Sequence, residues 1–359
     1  SAYSFGNEVG EAVDHARAQV AALINAEPRE IIFTSCGTES DNAALNSALQ
    51  TQPGKRHIIT TAVEHSANIK YGQMLEKRGV EVTWIPVDRA GQLDVHEIHE
   101  AIREDTAMVS VMMANNETGV VFPIEEIAAI CRIKGVPFHT DAVQTPGKIE
   151  LDVKALGVDY LSLSAHKLHA PKGIGCLYVR QGLPYQSYIV GGGQESGRRG
   201  GTENVAYMIA FGKAAEMATA SLGGEVERIR ALRDRMEDGI LEAIPGVTRN
   251  GAKEPRLAST SNLSFADCEA EAILLLLNRE GICASSGSAC TTGSMAPSHV
   301  LIAMGLSPEH AMGAVRFSLS KYTTDTEVDY LLEKLPAIIE KLRGASPKTE
   351  QPAAEAVNS

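Results

Sequence analysis

The chain of 359 residues lacks any apolar stretch approaching the roughly 20 residues that a helix needs to cross a bilayer. Its longest local run, Ile273 to Leu277, reads as a buried helix segment. Nor does it open on a charged stretch followed by an apolar run. SAYSFGNEVGEAVDHARAQV reads as an amphipathic helix, so no signal peptide is expected and the cytoplasm follows by default. Basic residues are few: 33 Lys and Arg stand against 45 Asp and Glu, a net charge of -12. That balance argues against a nucleic-acid footprint, which needs clustered cations, and against anionic membranes; it favours solubility. The six cysteines (Cys36, Cys131, Cys176, Cys268, Cys283 and Cys290) form no C-x-x-C pair, so a zinc ribbon is not expected. A chain this long needs no disulfide framework either. Both nucleotide fingerprints, G-x-x-x-x-G-K-[ST] and G-x-G-x-x-G, are missing.

What is present is a periodic α/β pattern. From Glu30 to Val179 short apolar runs alternate with helical stretches: Ile31-Phe33, His57-Thr60, Glu81-Trp84, Met108-Met112, Val136-His139, Tyr160-Leu163 and Gly175-Val179. Strands spaced by helices predict a largely parallel sheet covered on both faces, with ligands at the carboxyl ends of its strands. A Gly- and Arg-rich loop, GGGQESGRRGGTEN, interrupts the pattern at Gly191 to Asn204, and a long helix from about Glu225 to Ile244 leads onward. Strands near Ser261-Phe265 and Ala314-Leu319 follow, with helices at Glu269-Glu280, Pro297-Met304 and Asp325-Arg343. The expected division is a large domain over 1–224, a small α+β domain over 225–345 and a disordered tail over 346–359.

The places just past strands hold the candidate chemistry. In SLSAHKLHAPKG a strand ends and Ser164, His166 and Lys167 follow at once. A lysine at a cleft edge has its pKa lowered by burial, as a Schiff-base amine requires. In HTDAVQ, Asp141 suits the carboxylate that keeps the pyridine nitrogen of pyridoxal phosphate (PLP) protonated, and Gln144 suits its phenolic oxygen. In TSCGTESDN a strand passes through Gly37 into Thr38 at a helix start, an anion site fit for the cofactor phosphate. His65, in AVEHSA, can stack on the ring and relay protons. Cys290 stands among hydroxyls and glycines in SSGSACTTGS, a setting that suggests an accessible, mobile loop over about 285–296 and a reactive thiol. Arg316, in AVRFSLS, suits either a substrate carboxylate clamp or a structural salt bridge.

Taken together, TSCGTESDNAAL, VEH, ANNETGVVFPI, HTDAVQTPGK, SAHKLHAPKGIG, GGGQESGRRGGTEN, SSGSACT and VRFSLSKYTT closely resemble the cysteine desulfurases, fold-type-I PLP enzymes of the class V aminotransferase group. The likeness runs from about Phe5 to Ser346, and KLHAPKG, GRRGGTEN, EAILLLLN and CTTGSMAPSHV look more like the nitrogen-fixation (NifS) type than the housekeeping (IscS) type. The resemblance implies that Lys167 is the Schiff-base lysine and that Cys290 forms a persulfide as L-cysteine becomes L-alanine. It also implies phosphate contacts at Gly37, Thr38, Ser164 and His166, ring contacts at His65, Asp141, Gln144 and Asn116, and a substrate clamp at Asn116 and Arg316. Thr202 would reach the phosphate of the other subunit of a homodimer, and an iron-sulfur scaffold protein would accept the sulfur. No metal site is implied beyond a passing iron-sulfur contact at Cys290. Relatives usually begin with a further segment carrying a D-N-N-A-T-T-like motif, which this sequence starts after, and often carry Glu where Ala296 stands. The alternatives are a selenocysteine lyase or a PLP transaminase on the same fold, and a weakly active sulfur carrier or scaffold subunit.

Overall fold

Seven short strands carry the larger of two cores: β1 (Ile31–Thr34), β2 (His57–Thr61), β3 (Glu81–Ile85), β4 (Thr106–Ser110), β5 (Phe138–Asp141), β6 (Tyr160–Ser164) and β7 (Gly175–Val179). In this computed structural model, which describes residues 4–287 and 296–345, they form one sheet in the order β1-β7-β6-β5-β4-β2-β3. Only β7 runs against its neighbours; the pairs from β6 through β3 are parallel. All seven but β3 are buried along their whole length, as expected of strands covered by helices on both faces.

The covering helices obey ordinary start and stop chemistry. The helix Ile124–Lys134 has Glu125 and Glu126 in its first turn and Arg132 and Lys134 in its last, matching the helix dipole. It ends at Gly135, whose φ of 67° is a left-handed conformation that glycine adopts without strain. Asp152 caps the short helix that follows by accepting the Lys154 and Ala155 amides. Helices Ser4–Leu23 and Val205–Ser221 pack together on one face. Gly212 lets them approach so closely that a Cβ there would stand 2.6 Å from Ala16 Cα. The second of these helices escaped the sequence reading because it is apolar nearly all round and so shows little helical contrast.

The smaller core is an antiparallel sheet in the order β10-β11-β9-β8, built from β8 (Val247–Arg249), β9 (Thr260–Phe265), β10 (Ser285–Ser286) and β11 (Ala314–Ser318). Helices Gly224–Ala243, Ala270–Arg279 and Asp325–Ala345 pack against it through Ile240, Ile273 and Leu335 among others. Each such buried Ile or Leu contributes about 1.5–3 kcal/mol. The two cores are joined along one seam, where Val121 N donates to Pro255 O at 3.1 Å and Leu257 N to Gly119 O at 2.8 Å. Among the described residues no helix is long and apolar enough to cross a membrane.

Candidate active site

The parallel run of the sheet brings the ends of β1, β2, β4, β5 and β6 to one edge. Asp141 is the last residue of β5 and is 5% exposed. Its Oδ1 accepts the Val143 amide at 2.9 Å, which fixes the carboxyl's direction. Burial raises its pKa, and the nearby charges of His65 and Lys167 oppose that rise. His65 follows β2 and opens the helix Ser66–Glu76. Burial lowers its pKa; Asp141 pulls it up, while Lys167 and His299 push it down. Its Nδ1 accepts the Ala67 amide at 3.2 Å, so the neutral ring carries its proton on Nε2. Lys167 lies in the 3-10 turn Ala165–Leu168 directly past β6, half-buried. A buried acid, a neutral imidazole and a lysine thus meet at the strand ends, close enough for each to shift another's proton affinity.

The phosphate candidates lie beside them. Gly37 begins the helix Gly37–Thr51, with Thr38 in its first turn and no side chain capping its start. A Cβ on Gly37 would meet Val143 Cγ2 at 2.9 Å and Ser164 Cβ at 3.6 Å, so β1, β5 and β6 converge there. His166 is exposed. Gln144 is half-buried in the turn after Asp141. Asn116 and Arg316 are brought together from the two cores: Arg316 Nη1 donates to Asn116 O at 2.7 Å. Asn116 Oδ1 is itself a buried acceptor with no hydrogen-bond partner among the described residues. Thr202 lies apart from the Asp141 group, exposed, in a recess it shares with Thr34, Ser35, Glu195 and Arg199. Cys290 lies outside the described residues.

Several site residues were not singled out in the sequence. Lys148, within HTDAVQTPGK, lines a cavity of about 280 Å3 with Lys167, His169 and Lys321. Its pKa falls to about 8, through burial first and then the charges of Lys167 and Arg316. Three cations so close make this edge strongly electropositive, suited to anionic oxygens. Glu64 stands under His65, fully buried, bonded to Met112 N at 2.9 Å, Thr61 Oγ1 at 2.8 Å and Asn68 Nδ2 at 3.1 Å. Beneath Asp141, His139 bridges Ser110 Oγ at 2.8 Å and Ser162 Oγ at 2.9 Å; burial drives its pKa to about 3, so it stays neutral. A buried acid next to a singled-out histidine was the signal available for Glu64. Nothing in the local pattern marked Lys148.

The aminotransferase class-V family model matches residues 1–331. Cysteine desulfurase 2 of Trichormus variabilis is 56% identical over 347 residues, which are 97% of this chain and 87% of that protein. Cysteine desulfurase NifS of Azotobacter vinelandii is 50% identical over 348 residues, with the same two shares. Among solved structures, a NifS-like protein superposes with a TM-score of 0.89 at 38% identity, covering 95% of this chain and 91% of its own.

Proposed function

The chain belongs to the aminotransferase class-V family as one of its PLP-dependent cysteine desulfurases, and we propose that Lys167 anchors its cofactor while Cys290 receives the sulfur. The observation that carries this reading is the meeting of Asp141, His65 and Lys167 at one sheet edge. The residues fit the cofactor. Gly37 and Thr38 offer uncapped helix amides and a hydroxyl for a phosphate, and Ser164 lies beside them. Asp141 would be the negative partner that a ring nitrogen needs, and Asn116 Oδ1, a buried acceptor without a partner among the described residues, is open to a bound group. Bound there, PLP supplies an electron sink for the pair released when the substrate Cα loses its proton.

The chain's own groups do the rest. Arg316, its guanidinium partly held by Asn116 O, takes the carboxylate of L-cysteine and so orients Cα and the thiol. The Lys167 amine takes the Cα proton and hands a proton back. Neutral His65, with its proton on Nε2, would flank the bound ring and can move protons without adding charge. The Cys290 thiolate attacks the substrate sulfur; the Cβ–Sγ bond breaks and its electron pair stays with the substrate carbon. Protonation there gives L-alanine, and the sulfur remains as a Cys290 persulfide. Lys148 adds positive charge beside Lys167, which suits the anionic groups of cofactor and substrate.

The same reading divides the chain into a large PLP-binding part, 1–224, and a small part, 225–345. It makes the protein a cytoplasmic homodimer in which Thr202 reaches the other subunit's phosphate. An iron-sulfur scaffold protein receives the sulfur, in the setting of nitrogen fixation. Borohydride treatment of the PLP-loaded protein should fix the cofactor on the Lys167 peptide. Mass spectrometry after L-cysteine should add one sulfur to the Cys290 peptide. Lys167→Ala should lose both signals, and Cys290→Ala should lose the second together with alanine production. Label on another lysine, or unchanged alanine from Cys290→Ala, would sink the assignment.

A further inference from the structure

Glu117 has no part in the steps above, yet it is 2% exposed and lies where both ends of the segment bearing Cys290 reach the substrate turn. The incoming end is β10, where Ser285 pairs with Arg316 and Ser286 with Val315. Gly287 comes next, packed so tightly that a Cβ there would collide with Glu117 Oε2 and stand 3.4 Å from Ser298 Cβ. The outgoing end is Ser298, N-cap of the helix His299–Ala303. Its Oγ donates to Glu117 Oε2 at 2.5 Å and accepts the Leu301 amide at 3.2 Å. Glu117 cannot drift: its amide donates to Asn115 Oδ1 at 2.9 Å, and its carbonyl accepts Asn262 Nδ2 at 3.2 Å.

One residue earlier, Asn116 O accepts Arg316. The contacts therefore close a ring that runs from Ser285 through Arg316, Asn116 and Glu117 to Ser298. His299 extends it, with Nε2 2.9 Å from Glu64 O, the residue before His65. Burial raises the Glu117 pKa, opposed by the Ser298 hydrogen bond and the charges of His299 and Arg316. A hydrogen bond made in so buried a place is costly to leave unmade.

We propose that Glu117 is a positioning residue: through Ser298 it ties the outgoing end of the Cys290 segment to the turn bearing Asn116, and it packs against Gly287 at the incoming end, which β10 pairs with Arg316. The two points from which the thiol-bearing segment leaves the fold and the Arg316 clamp then share one frame. Fixing a segment's ends shrinks the volume its middle searches, and it raises the chance that the thiol meets a held substrate. The role rests on the desulfurase reading, and its charge is not required: a Gln of the same shape can still accept from Ser298.

The test uses PLP-loaded Glu117→Ala, Ser298→Ala, their double variant and Glu117→Gln. Single-turnover persulfide formation on Cys290, followed by mass spectrometry, should slow about tenfold or more in both alanine variants, as expected for a lost buried hydrogen bond. The double variant should be no slower than either, since both remove one interaction. Glu117→Gln should stay near wild type. Equilibrium dialysis with L-alanine, which has no thiol, should give nearly unchanged affinity, because Arg316 is still held by Asn116.

A second readout needs no sulfur chemistry: without substrate, iodoacetamide should label Cys290 at a severalfold altered rate in Ser298→Ala, with Cys268 unchanged. If Glu117→Ala does not fold, Ser298→Ala carries both arms. The proposal fails if Ser298→Ala transfers sulfur and labels like wild type, or if L-alanine affinity falls as far as transfer does. A wild-type protein that forms no persulfide would overturn the desulfurase reading instead, and the labelling arm would still judge the anchor.

Discussion

Glu64 precedes His65 and spends three hydrogen bonds on holding that turn in place. Burial nonetheless lifts its pKa from 4.5 to about 7. The folded protein therefore keeps a proton here up to about pH 7 that the unfolded chain releases near 4.5. Between those values the folded state binds more protons, so this group's contribution to stability falls as pH rises. The expected loss across the window is about 3 kcal/mol, from about 1.4 kcal/mol per pKa unit. In Glu64→Gln that dependence should vanish. Melting temperature against pH from 5 to 8 should fall more steeply in wild type than in the variant. Parallel curves would place the proton elsewhere. Glu64 and Lys148 stand within the sequence's own marked motifs, yet only burial gave them their chemistry.

The element scale shows how helices aim the site. The Gly-rich loop is pinned by salt bridges, Arg17 to Glu195 at 2.6 Å and Arg199 to Glu39 at 2.9 Å among them. Glu195 and Ser196 sit at φ of 50° and 56°, a conformation that costs about 1 kcal/mol or more and persists because these contacts impose it. Glu195 also accepts the Phe33 amide of β1 at 2.9 Å, so loop and strand move as one. Arg17 belongs to the helix Ser4–Leu23, whose seat on Val205–Ser221 depends on Gly212. Gly212→Ala should push the two helices apart and cost about 1–3 kcal/mol, as overpacking does. A denaturant midpoint equal to wild type would show that the helices separate freely. Strand periods and loop composition were legible in the sequence. The Val205–Ser221 helix was not, because its exposed face is nearly as apolar as its buried one and leaves no stripe to read.

At the scale of the molecule the two cores meet through a buried charge. Glu237 accepts Arg256 at 2.7 and 3.0 Å, Ser261 at 2.6 Å and Arg249 at 2.9 Å. Burial alone would raise its pKa, but these donors overcome that and hold it at about 2. Arg256 also forms a backbone bridge to Val120 of the larger core, next to the seam at Gly119 and Val121. Arg256→Ala would leave the buried Glu237 carboxylate with only Ser261 and Arg249 and should cost on the order of 2–3 kcal/mol. Because Arg256 belongs to the seam, calorimetry should also show one transition splitting as the two cores melt apart. An unchanged single transition would refute the coupling. Glu237 itself stabilises fully above its unfolded pKa of 4.5, and that support fades as pH falls towards 2.

By itself the sequence determined the parallel sheet, the strand ends where chemistry gathers and the residue types found there. Those follow from local rules: period, turn chemistry and the bond-forming groups of Asp141, His65 and Lys167. Only the tertiary structure decided that Arg316, from the smaller core, is held by Asn116 of the larger one. It alone brought Lys148 within reach of the charges of Lys167 and Arg316, and Ser298 onto Glu117. Such pairings join residues far apart in the chain, and no local pattern encodes them. They arise when two cores close on one seam and burial decides which polar groups must find each other.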